Sequence, residues 1–382
     1  MDTLIIGSGF AGSVVANVLA NKGEKVKIIE KRNHIGGNCY DEYDECGVLI
    51  HKYGPHIFHT NDKGVYDYLS QFTDWYDYSH EVVANVYGNI IPVPFNLNTL
   101  MLVFGKEKGE ALKKELIDTY GYNSRVPILE MQKSQSKGIQ EVAKYVYENI
   151  FLKYTMKQWN QKPEEVDQSV TARVPVLISE DNRYFQDTYQ GMPKDGYTNL
   201  FKRMLDHPNI EIVYNQDVKD ILKFDFDQHK IYVDGKEFDG KIIFTGAIDE
   251  LFDNCLGKLP YRSLRFEFEH YDKDHYQSKG VVNYTVSEDY TRITEFKYLT
   301  GQDIQGTTIM KEYPQAYTDS SQVPYYAILD PDNIAIHQKY VEMLKPFSNF
   351  YLLGRLAQYK YYNIDAIVRV ALDLVQELRV DV

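Results

Sequence analysis

Three cysteines in a chain of 382 residues give no disulfide framework. Cys39, Cys46 and Cys255 are an odd set without a CxxC pair, so a structural zinc site is not expected and a reduced, cytoplasmic protein is. Long apolar runs are also missing. No stretch approaches the roughly 18 uninterrupted apolar residues of a membrane span. The first apolar segment, Leu4 to Ile6, is too short for a signal peptide and runs into glycines. Positive charge is scarce: 42 Lys and Arg stand against 55 Asp and Glu, a formal net charge of −13. A general nucleic-acid binder carries the opposite field, so no nucleic-acid partner is expected. An anionic ligand must instead be met by a few local arginines. Tryptophan occurs twice, tyrosine 33 times. A tyrosine joins an apolar ring to a polar tip, and such a surplus suits a polar, sugar-sized pocket as well as a core.

What remains is ordinary globular composition, with length enough for two or three domains. The N-terminus reads as strand, tight turn, helix, strand: Thr3 to Ile6, a glycine-rich turn, a helix from Ser13 to about Asn21 closed by Gly23, then Lys25 to Glu30. From Asn96 to about Trp159 the pattern is helical. Glu107 to Tyr120 is rich in helix formers and ends at Gly121. Ile139, Val142, Ala143, Val146 and Ile150 fall on one helical face. After Asn209 the period becomes two. Lys230 to Val233, Asp234-Gly235 and Lys236 to Phe238 read as a hairpin with a DG turn. Leu264, Phe266 and Phe268 alternate with charged residues, and Val281 to Val286 and Thr291 to Leu299 are further strand candidates. The fold class is therefore α/β: a Rossmann-like nucleotide-binding domain with a helical insert and an antiparallel β-sheet domain, discontinuous in sequence.

Gly7-x-Gly9-x-x-Gly12 follows a strand and opens a helix, and Glu30 lies at the end of the next strand. Gly7 permits the tight turn, Gly9 lets a pyrophosphate approach the backbone, and Gly12 lets helix and strand pack closely. The helix N-terminus, with Phe10 and Ala11 in its first turn, offers unpaired N–H groups to phosphate. Glu30, with Lys31 beside it, is placed to accept from a ribose diol. The glycine pair Gly36-Gly37, followed by Asn38, is not needed for NAD and resembles the extended FAD fingerprint of amine-oxidase-like flavoproteins. A second apolar strand ends in Gly354-Arg355 and returns toward the same place. The cofactor read from these residues is FAD.

Several longer motifs are not generic. They are Gly54-Pro55-His56-Ile57-Phe58-His59-Thr60, Pro94-Phe95-Asn96-Leu97, Tyr154-Thr155-x-Lys157-Gln158-Trp159 and Arg173-Val174-Pro175. Thr245-Gly246-Ala247-Ile248-Asp249, Tyr290-Thr291-Arg292-Ile293-Thr294-Glu295 and Gly354-Arg355-Leu356 through Tyr361 follow in order. With these the chain resembles the bacterial UDP-galactopyranose mutases over essentially its whole length. The resemblance implies a redox-neutral isomerisation of UDP-galactopyranose and UDP-galactofuranose, in which N5 of a reduced flavin attacks the anomeric carbon. It supplies galactofuranose for cell-surface polysaccharide. That chemistry accounts for the lack of any Ser/His/Asp or paired-carboxylate device.

The resemblance also implies roles. Arg173 and Arg292 match the family's diphosphate-binding arginines and Tyr154, Tyr184, Tyr326 and Tyr361 its substrate-side tyrosines. Tyr325 lies one residue from Tyr326, so a slip would exchange them. Trp159 matches a tryptophan on a loop expected to close over substrate; the alternative is a core Trp. His59 is expected to tune the flavin's proton state, with His56 beside it, and Arg355 to neutralise charge on the cofactor side. Asn363 stands where the family often has Asp, with Asp365 next along. Implied domains are 1–75, 193–255 and 345–382 for FAD, 96–170 for the helical insert with its mobile loop, and 76–95, 171–192 and 256–344 for the antiparallel sheet. Implied partners are UDP-galactose, an electron donor such as NADPH or a reductase, and a second copy in a homodimer. Competing readings are an FAD-dependent amine-oxidase-type oxidoreductase, a non-enzymatic flavin or nucleotide binder, and a mutase for UDP-N-acetylgalactosamine.

Overall fold

The apolar run Thr3–Ile6 is buried on both faces, as a strand without alternation must be. In the computed structural model, which describes residues 1–152 and 175–378, it is the middle strand of a five-stranded parallel sheet. Val26–Ile29 and then Ile210–Val213 lie on one side of it, Lys241–Phe244 and Phe350–Leu352 on the other. The direction of growth reverses at Thr3–Ile6. At such a switch point the carboxyl ends of neighbouring strands part and leave a crevice for a ligand. Ile5, Ile28 and Ile243 pack one face of the sheet against helices Phe10–Ala20 and Ile364–Glu377. Leu4, Ile242 and Phe244 pack the other against Tyr340 and Leu344 of helix Pro331–Leu344.

A seven-stranded sheet stands beyond this domain, in the order Tyr326–Ala327, Tyr261–Tyr271, Thr307–Ala316, Arg292–Glu295, Val281–Tyr284, Val82–Val86, Asn89–Val93. Its neighbours are antiparallel except for one pair: Val281–Tyr284 runs parallel to Val82–Val86. No hairpin can join those two strands, because the helical insert lies between them in the chain. That insert comprises Leu97–Phe104, Lys106–Tyr120, Ile128–Met131 and Lys137–Val146, continued by a wider helical turn, Tyr147–Leu152. Ile139, Val142, Ala143, Val146 and Ile150 are buried together against Val82, Ala84 and Val93, as their spacing predicts.

The hairpin at Asp234-Gly235 forms with both turn residues at positive φ, 52° and 75°. One strand is shorter than the sequence pattern predicts. Thr291 to Leu299 reads as extended, but the strand Arg292–Glu295 turns into a helix, Phe296–Thr300. Phe296 and Leu299, three residues apart, share one helical face and are both buried, and Gly301 at φ 65° stops the turn. A third, small sheet matters for the site. Tyr189–Pro193 pairs antiparallel with Phe58–Thr60 and then with Trp75–Tyr76, which sets Gln190 opposite His59.

Candidate active site

The first cleft opens at the switch point and has a volume of about 710 Å³. Its floor is the turn from Gly7 to Ala11, and Glu30, Lys31, Gly37, Asn38, Gly354 and Arg355 line its walls. The glycines are there for space. Gly7 sits at φ 99°, and a Cβ on it would stand 2.2 Å from Thr245 Oγ1. A Cβ on Gly12 would stand 2.0 Å from the carbonyl oxygen of Gly7. Gly37, at φ 56°, faces Gly9 so closely that its Cβ would lie 3.0 Å from the Gly9 Cα. The second glycine pair thus completes the same cradle. Glu30 is buried and accepts from Ser8 N at 2.9 Å, Ser8 Oγ at 2.6 Å and Arg32 N at 2.9 Å. These three bonds leave about one acceptor site of the carboxylate unused. Lys31 Nζ pairs with Asp217 at 3.1 Å. Phe10 turns inward, 4.6 Å from the Phe201 ring. Cys39 also borders the cleft, and burial pushes its thiol up to about 12, so it supplies no thiolate.

A second pocket of about 260 Å³ continues from the first. His56, Arg355, Asn363 and Ile364 line both. Sheet register builds the second pocket's polar floor. Asn283 pairs with Arg292 and Arg292 with Glu312, so three side chains from adjacent strands share one face. Glu312 Oε2 accepts from Arg292 Nε at 2.8 Å and is 0% exposed. Val82, Val93, Ile150, Val281 and Leu264 make an apolar wall. His80 is buried at this wall; burial, reinforced by the charge of Arg292, drives its imidazole down to about 3.

The structure brings Tyr184, Arg292, Tyr326, Tyr361, Asn363, His56 and His59 to one pocket. Tyr325 and Tyr326 both line this pocket but pack differently. Tyr325 is buried edge-on to Phe266, whereas Tyr326 stacks on Tyr361 with ring centroids 5.9 Å apart. Arg355 lies 4.6 Å over the Tyr361 ring and donates to the carbonyl of Tyr362 from Nε at 2.7 Å. Asn363 stands at the N-cap position of the helix Ile364–Glu377, without a capping bond from its side chain. Asp365 does not replace the missing carboxylate: it accepts from Thr60 Oγ1 at 3.1 Å and lines neither pocket. Tyr154, Trp159 and Arg173 lie outside the described residues, as does the loop read as a lid. Sequence reading missed His80, Phe185, Asp187, Asn283, Thr285 and Glu312. Only strand alternation marked some of them, and it does not say which face meets a ligand. Thr285 Oγ1 is buried in the pocket wall with no hydrogen-bond partner among the described residues.

A profile of an NAD(P)-binding Rossmann-like domain matches residues 5–72, the segment that carries the glycine cradle. A dTDP-fucopyranose mutase of Escherichia coli is 36% identical over 377 residues, 98% of this chain and 97% of that protein. A UDP-galactopyranose mutase of Mycoplasma genitalium is 34% identical over 385 residues, 99% of this chain and 94% of that one. A crystal structure of reduced UDP-galactopyranose mutase shares the fold, with a TM-score of 0.69 at 15% identity over 100% of this chain and 94% of the other. A profile described as UDP-galactopyranose mutase matches residues 149–361, more than half of the chain, and the chain belongs to that family.

Proposed function

We propose that the protein binds FAD in the first cleft and isomerises UDP-galactopyranose and UDP-galactofuranose in the second pocket. The observation that carries this is the continuity of the two spaces through His56, Arg355, Asn363 and Ile364. A cofactor held by its diphosphate at the glycine turn would have open space toward the pocket that Arg292 lines. The cradle fits the group: a Cβ on Gly7 or Gly37 would close it. Gly7, Gly9, Gly12 and the first turn of the helix Phe10–Ala20 would hold the pyrophosphate. Glu30 would take the ribose, and Arg355 the flavin side. When bound in its reduced form, the flavin would supply a nucleophilic nitrogen for the anomeric carbon.

The chain's own task is then to bind the nucleotide diphosphate and hold the sugar. Arg292 meets the diphosphate, and Glu312 fixes the plane of its guanidinium through Nε. Arg173 is read as the second cation. Tyr326, Tyr361, Tyr184 and Tyr154 offer phenol hydroxyls. His80 stays neutral at pH 7 and adds no competing charge. The leaving diphosphate is most anionic as the sugar–oxygen bond breaks, so these contacts strengthen in the transition state. An electron donor, NADPH or a reductase, restores the reduced cofactor.

A second substrate has a specific observation in its favour. The relative 36% identical to this chain is a dTDP-fucopyranose mutase, and the apolar wall of the pocket would receive a methyl where galactose has a hydroxymethyl. One experiment separates these. The purified protein is expected to be yellow. After dithionite reduction it should convert UDP-galactofuranose to UDP-galactopyranose, followed by chromatography, with no net electrons consumed and little activity when oxidised. Faster turnover of dTDP-fucofuranose moves the substrate to the deoxysugar. A protein that takes up no flavin, or that turns over equally when oxidised, removes the reading.

A further inference from the structure

We propose that Asp187 is a positioning residue for His59: it holds the proton on Nδ1 and so presents Nε2 to the pocket as a hydrogen-bond acceptor. The arrangement begins with register. His59 sits in Phe58–Thr60 opposite Gln190, and the Gln190 amide donates to the carbonyls of Phe185 at 3.1 Å and Asp187 at 2.9 Å. The turn carrying both residues is thereby tied to the strand carrying His59. Phe185 lies flat on the imidazole, with centroids 3.5 Å apart and planes 12° apart, so the ring cannot swing. Asp187 Oδ2 stands 2.9 Å from His59 Nδ1. Its other oxygen, Oδ1, accepts from Asn61 Nδ2 at 2.7 Å, and Asn61 Oδ1 in turn accepts from Thr188 N at 2.9 Å.

An ionised carboxylate only accepts, so the proton between it and the ring belongs to Nδ1. A neutral imidazole then has its lone pair on Nε2. His59 lines the second pocket, and its Nε2 has no hydrogen bond to a described residue. The neutral ring thus faces the crevice as an acceptor for an N–H or O–H. The direction of the amide network makes the claim sharp. After Asp187→Asn, the new amide keeps its oxygen toward Asn61 Nδ2 and turns its NH₂ to Nδ1. The ring must then accept at Nδ1 and carry its proton on Nε2, the reverse of the native state.

The consequence for turnover rests on the function proposed above; the tautomer does not. The test uses the purified, flavin-loaded protein with ¹⁵N-labelled histidine, the His59 signals being assigned by their loss in His59→Gln. At pH 8.5 the native ring should show a protonated Nδ1 and a bare Nε2. Asp187→Asn should exchange the two, and Asp187→Glu should keep the native pattern. In steady state Asp187→Asn should lower kcat by about tenfold or more, within the range a placed proton acceptor supplies, with KM within about twofold. A native ring protonated on Nε2, as that tautomer or as the imidazolium, overturns the proposal. So does an Asp187→Asn protein whose ring nitrogens and kcat match the native ones. Flavin-free protein that shows the predicted tautomers would retain the positioning role while removing the flavin reading.

Discussion

Arg292 is held from behind. Its Nε is occupied by Glu312, whose carboxylate is 0% exposed, and its position beside Asn283 comes from strand pairing. A charge-assisted contact to a diphosphate contributes about 1.5–3 kcal/mol, or about 10- to 200-fold. Arg292→Ala is therefore expected to lower kcat/KM of the reduced enzyme by that factor, with much of the loss in kcat. The same change leaves Glu312 buried without its cation, which costs on the order of 3–5 kcal/mol. Arg292→Lys separates the two effects: it keeps a charge near Glu312 but loses the planar fork. Thermal melting should recover in the lysine variant while turnover stays depressed. Variants with kcat/KM within about threefold of native would place Arg292 outside the site.

Elements show where the sequence speaks plainly. The glycine turn, the DG hairpin and the stop at Gly121 were legible because each is a local demand on φ or on space. The helix Phe296–Thr300 was not, because Phe296 and Leu299 suit a strand as well as a helix until the neighbouring sheet decides. The pairing of Val281–Tyr284 with Val82–Val86 was not either, since no local signal records a partner about 200 residues away. His59 was legible as a candidate residue and Asp187 was not, because their contact exists only through a sheet register. The glycine turn also yields a discriminating pair of variants. A Cβ on Gly9 would meet only the Gly37 Cα at 3.8 Å, and Gly9 has φ −74°, which alanine adopts freely. Gly9→Ala should melt like native apoprotein yet lose flavin, because the methyl enters the cleft. Gly12→Ala forces a carbon to 2.0 Å from a backbone oxygen and 2.9 Å from Ile5 Cγ2. It should cost roughly 1–3 kcal/mol or more through strand–helix separation, lowering the melting temperature as well as the flavin absorbance. Equal melting of the two variants would contradict this division.

Over the whole molecule, acid sets two forces against each other. The chain carries a net charge of −13, and lowering pH from neutrality reduces that charge and eases self-repulsion. Three histidines oppose the gain. Burial pulls His51 down to about 4 and both His56 and His80 to about 3. An unfolded histidine titrates near ~6.5. Between that value and the folded one, the unfolded state binds the extra proton and the folded state does not. Stability is therefore intact above about pH 6.5 and falls as pH drops below it, by about 1.4 kcal/mol per pH unit for each group. The three together give roughly 4 kcal/mol per unit, a steep slope against a total stability of about 5–15 kcal/mol. Urea titrations at pH 7, 6 and 5, at constant flavin, should show that decline well above the range where carboxylates protonate. His51→Asn isolates the cause. His51 Nδ1 accepts from the backbone N–H of His56 at 3.1 Å, and an asparagine oxygen can do the same without titrating. The variant should lose about a third of the slope between pH 6 and 5, and an unchanged slope would remove His51 as a source of the acid sensitivity.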